Sequence, residues 1–101
     1  MTLEEKKVLL SEAIGRISRT NEKRDSYLRE IADDKATLEL INGKEVAGDP
    51  MPSYSPYPDY PTWRNIIQKE IDRAETTLAN LDIRLIEAEA FQYYIDNYTE
   101  V

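Results

Sequence analysis

An all-α chain, a long two-helix antiparallel hairpin of coiled-coil type with a Pro/Tyr-rich connecting loop, is the fold class predicted by three features of this 101-residue sequence. In the second half Ile67, Ile71, Ala74, Leu78, Leu81, Leu85, Ala88 and Ile95 follow alternating steps of four and three, with Gln92 the one polar member. That is the spacing of a heptad seam. In the first half Leu3, Leu10, Ile17, Ile31 and Leu38 recur at seven-residue intervals, interrupted at Arg24. Between the two series, Pro50, Pro52, Pro56, Pro58 and Pro61 forbid continuous helix.

The first helix is predicted from about residue 3 to 41. Thr2 precedes Glu5 by the three residues of a capping box, and Ala13, Ile14, Tyr27, Leu28 and Ile41 widen the apolar stripe on either side of a polar waist, residues 18–26. Asn42-Gly43 offers a left-handed C-cap or the turn of a short hairpin, and the cap is the preferred reading. A linker is expected over 42–61, partly in polyproline II geometry. With three residues per turn, that geometry lines Tyr54, Tyr57 and Tyr60 on one side. The second helix is predicted to open at Pro61 or Thr62 and run to about 97, proline being tolerated in a first turn. The length suits a single domain spanning residues 1–101, with one modest core.

Composition excludes several classes of chemistry. Cysteine and histidine are both absent, which removes disulfides, thiolate catalysis, the usual zinc ligands and the commonest general base. No nucleophile stands beside a base, and there is no glycine-rich phosphate loop. The acidic clusters Asp33-Asp34 and Glu70/Asp72/Glu75 lack the glycine-containing loop of a calcium site. No catalytic residue, cofactor or metal is expected. The net charge of −7 disfavours nucleic acid and anionic membranes as main partners. Residues 1–47 hold nine Lys/Arg against ten Asp/Glu, and residues 48–101 hold four against ten. The second half therefore carries most of the net charge. No apolar run approaches a membrane span and none reads as a secretory signal, so a soluble protein is expected.

What remains is surface. Tyr54, Tyr57 and Tyr60, with Trp63, either dock a partner or fold back to close the open end of the hairpin. The expected division has Tyr60 and Trp63 packing inward and Tyr54 and Tyr57 facing a neighbour. Ile83, Ile86, Ala90, Tyr93 and Tyr94 lie off the seam on a second face of the second helix. A two-helix hairpin covers one face of each helix, so this stripe predicts contact with a symmetry mate or another protein. Arg16, Arg19 and Lys23 share a helical face, but interleaved acids make it a solvated face rather than a phosphate site.

From about residue 36 to 82 the chain resembles small head-completion and head-tail joining proteins of tailed phages. The matching elements are Leu38-Glu39-Leu40-Ile41-Asn42-Gly43, then Ser53-Tyr54-Ser55, then Tyr60-Pro61-Thr62-Trp63 and Ile67-Gln68-Lys69-Glu70-Ile71-Asp72. The resemblance implies a non-enzymatic structural or adaptor subunit of a virion neck or connector. It also implies self-association, as a homo-oligomer or part of a ring, beside neighbouring virion proteins. The alternative is a free adaptor hairpin, or a secreted protein similar to the WXG type, that binds a single protein partner. Trp63-Arg64-Asn65 lacks the glycine of that type.

Overall fold

The structure is a computed structural model and describes residues 1–100. Among the described residues it is all-helical, with α1 spanning Leu3–Val46 and α2 spanning Tyr60–Tyr98. This is the helical hairpin that the heptad spacing predicts.

The cap of α1 forms as its sequence suggests. Thr2 Oγ1 accepts a hydrogen bond from the Glu5 amide at 3.1 Å, while Glu4 and Glu5 place negative charge on the positive end of the helix dipole. At the other end the prediction is corrected: α1 passes through Asn42-Gly43 and stops five residues later than expected, at Val46. The cap lies at Gly48, which has φ +77°. Its amide donates to the Glu45 carbonyl at 3.1 Å, and the Asp49 amide donates to the Lys44 carbonyl at 3.0 Å. These two bonds are a Schellman motif, with the glycine in the left-handed position. Keeping Gly43 in a helix costs about 1 kcal/mol relative to alanine. Tertiary contacts offset it: Arg64 donates to Asn42 Oδ1 at 2.8 Å and pairs with Glu45 at 3.0 Å. The linker is correspondingly shorter, residues 47–59.

The chain divides into two compact units, each built from a segment of α1 and a segment of α2. One unit joins Met1–Ser26 with the chain from Leu78 onward. Its helix segments are antiparallel, as contacts from Lys6 Nζ to the Thr99 carbonyl and from Arg24 to Asp82 require. Ala13, Leu81, Ala88 and Ile95 are buried, and Leu10, Ile17, Leu78, Leu85 and Gln92 are half-buried. Arg24 stands at the seam position that breaks the apolar series, and its Nε meets Asp82 Oδ1 at 2.5 Å. An ion pair at a seam fixes register at some expense of stability.

The other unit is Tyr27–Thr77. Its segments are also antiparallel, with Lys35 opposite Glu75 at 3.7 Å and Arg64 opposite Glu45. Its core is Ile31, Ile41, Tyr60, Ile67, Ile71 and Ala74, all buried. The α1 stripe is narrower than predicted: Ala13, Tyr27 and Ile41 turn inward, whereas Leu3, Ile14 and Leu28 are exposed. One facing helix covers one arc, and residues beyond that arc stay in water.

Candidate interaction surfaces

The loop end of the Tyr27–Thr77 unit is built around Asp59, Tyr60 and Trp63. Helix α2 opens at Tyr60, one residue before the predicted start, because Asp59 serves as its N-cap. Asp59 Oδ1 accepts from the Thr62 amide at 2.7 Å, and Pro61 occupies the first turn. Tyr60 is buried at the first helical position, and its hydroxyl donates to the Pro50 carbonyl at 3.2 Å. Both ends of the linker are thereby tied together. Tyr57 stacks on Trp63, with ring centroids 5.2 Å apart and planes 10° from parallel. The Tyr57 amide donates to Ser55 Oγ at 3.1 Å, which sets the approach of that ring.

The hydrogen bonds of Thr62 to the Asp59 carboxylate, side chain and backbone, hold its pKa below the usual value. A folded-state pKa depressed in this way contributes stability that is present above the unfolded pKa, about 3.9, and is lost as pH falls through the folded value. Asp59→Ala is therefore expected to lower the melting temperature at neutral pH and to flatten its decline below about pH 4. Thermal scans of both proteins from neutral to acidic pH check this; parallel curves would remove the cap.

The expected polyproline alignment of the three tyrosines does not form. The Ser55 amide closes a turn on the Pro52 carbonyl at 3.2 Å, and Tyr54 within that turn has φ +63°. Left-handed backbone is incompatible with polyproline II, and it separates the three rings. Tyr60 is buried as expected, while Trp63 is half-buried against the Tyr57 ring. Tyr57 does not face outward but joins Trp63, a correction that follows from the planar stack available to it. Tyr54 alone is fully exposed. Holding a tyrosine left-handed costs roughly 1–2 kcal/mol, a strain of the kind that gathers at binding segments.

The second surface lies on α2 in the unit that contains residues 78–100. Ile83, Ile86, Tyr93 and Tyr94 are 56, 66, 61 and 55 % exposed. They project away from the seam, so the inner face of α2 is distinct from this one. Tyr98, which the sequence reading left out, joins them: it meets Tyr93 edge-on at 6.2 Å and stacks on Tyr94 at 6.1 Å. The spacing of four residues between Tyr94 and Tyr98 was the available signal.

Among the described residues no group of three or more His, Cys, Asp or Glu side chains is placed to hold a metal ion. No helix among them is long and apolar enough to cross a membrane. Comparison with protein-family models, with curated proteins and with solved structures returned no significant match.

Proposed function

We propose that this chain is a non-enzymatic structural or adaptor subunit that works by burying surface against other proteins, in the neck or connector region of a tailed-phage particle. The observation that carries the reading is the outer face of α2, where two isoleucines and a cluster of three tyrosines share one side of the helix, each more than half exposed. Contiguous apolar patches of this kind mark interfaces more often than ordinary surface, and tyrosine gives large contact area for little entropy loss. The resemblance of residues 36–82 to head-completion and joining proteins supplies the phage assignment. In this reading the Ile83/Ile86 face joins neighbouring copies, and Tyr54, on a strained turn, meets a different protein.

Ile83→Ser tests the surface. The side chain is outside the seam, so helix content and melting temperature are expected to change little, while self-association weakens by about tenfold or more, the loss of one interface anchor. Circular dichroism and sedimentation equilibrium give both quantities. Unfolding of the isolated chain would instead place Ile83 in the intramolecular core. Mass-spectrometric detection of the chain in purified particles tests the virion location, and its absence there favours the free adaptor.

A further inference from the structure

We propose that a basic recess on one flank of the unit containing residues 1–26 receives carboxylates from the opposite flank of a second copy of this chain. The inference rests on the self-associating reading above and adds to the Ile83/Ile86 face a second contact between copies, on the flanks. The recess has a volume of about 330 Å³, and Arg16, Arg19 and Lys23 of α1 and Arg84 of α2 surround it over a floor that includes Leu81 and Ala88. Glu87 is the one acid at its rim. The α1 spacing alone showed three cations; folding adds the fourth from the other helix.

These cations are largely uncommitted. Arg16 pairs with Glu12 at 3.3 Å and lies over the Phe91 ring at 5.1 Å. Among the described residues Arg19, Lys23 and Arg84 enter no ion pair. Arg19 is folded back over Gly15, with Nη1 3.1 Å from where a β-carbon would stand. A larger residue there would displace the guanidinium. In a chain of net charge −7, four converging cations are a local reversal of sign.

The occupant follows from the other edge of the same helix. At about 100° per residue, Arg84 lies about 60° to one side of Leu81, while Glu89 and Asp96 lie about 80° and 60° to the other. Both acids are exposed and, among the described residues, outside any ion pair. A neighbour with its helices in the same direction lays its Glu89/Asp96 edge against the Arg84/Lys23 edge of this copy. A neighbour related by a two-fold axis opposes like edges. The charges therefore select a heterologous contact, one flank against the other, which closes into a ring or extends as a filament according to the rotation between copies. Complementary charges at an interface fix register and partner more than affinity.

Salt gives the first test, because the two electrostatic contributions have opposite signs. Repulsion between chains of charge −7 weakens as salt rises, favouring association, whereas flank pairs weaken and oppose it. The expected result is a self-association constant that falls between about 50 mM and 500 mM sodium chloride; a rise would overturn the proposal. The second test is a charge exchange. Lys23→Glu with Arg84→Glu, and separately Glu89→Lys with Asp96→Lys, should each weaken self-association by about tenfold or more, and an equimolar mixture should recover it. All four positions are exposed, so helix content by circular dichroism should stay at the wild-type level. If either variant loses helix, Arg84→Gln and Asp96→Asn replace the reversals, and the salt result stands independently. Unchanged masses for both reversed variants, with the wild type still associating, would reject the recess and leave self-assembly intact. A wild type that stays monomeric at both salt concentrations would reject the self-associating reading, and this contact with it. Saturable binding of inorganic phosphate or a short oligonucleotide that disappears in the Lys23/Arg84 variant, without any change in self-association, would assign the recess to phosphate instead.

Discussion

Leu81→Ala is expected to lower the free energy of unfolding by about 2–4 kcal/mol, among the larger effects of any single substitution in this chain. Leu81 is 4 % exposed, whereas the seam leucines on either side of it, Leu78 and Leu85, are only half-buried. The next buried residue along α2, Ala88, is small, so the leucine supplies much of the apolar volume at its level. The neighbouring backbone belongs to continuous helix and has little freedom to collapse onto the space left behind. Against total stabilities of about 5–15 kcal/mol for domains of this size, the loss should displace the urea midpoint visibly without changing the slope. A change of less than about 0.5 kcal/mol, the range of ordinary surface substitutions, would mean that the helices do not pack through this seam.

Tyr60→Ala is expected to cost a comparable amount, about 2–4 kcal/mol, for a different reason. Its ring is buried in the Tyr27–Thr77 unit, and its hydroxyl ties the start of the linker, at Pro50, to the start of α2. Tyr60→Phe keeps the ring and removes only the bond, an expected loss of about 0.5–1.5 kcal/mol. The ratio of the two effects separates packing from tethering. Trp63 provides a local reading, because its stack with Tyr57 depends on how the linker approaches α2. In Tyr60→Ala the Trp63 emission should move to the red and become more open to quencher, and in Tyr60→Phe it should move little. Equal losses in the two variants would show that the hydroxyl, not the ring, holds the loop end closed.

The seam was legible because burial imposes a period on the sequence. Every residue found buried on α2 from Ile67 to Ile95 belongs to the heptad series. The half-burial of Leu78, Leu85 and Gln92 was not legible, since one facing helix covers a narrower arc than a heptad pattern supplies. The end of α1 was misread for a local reason: two glycines, Gly43 and Gly48, compete for the cap. Only Gly48 is followed by a proline two residues later, a signal the sequence did contain. What kept Gly43 helical, the contacts of Arg64 with Asn42 and Glu45, joins residues about twenty positions apart and leaves no periodic trace. The same limit applies to the surfaces. Ile83, Ile86, Tyr93 and Tyr94 could be placed outside the seam by counting, but the Tyr57–Trp63 stack depends on a turn with tyrosine in left-handed backbone, which residue preferences argue against. The basic recess was invisible as such, because Arg84 reaches it from the other helix.

Self-assembly is read directly by sedimentation equilibrium of the wild-type chain across a hundredfold concentration range, ~1 to 100 μM to bracket micromolar association. A subunit with an exposed Ile/Tyr face on α2 is predicted to show a mass that rises above the 11.7 kDa of one chain as concentration increases. A single species of 11.7 kDa at every concentration would contradict self-assembly through that face.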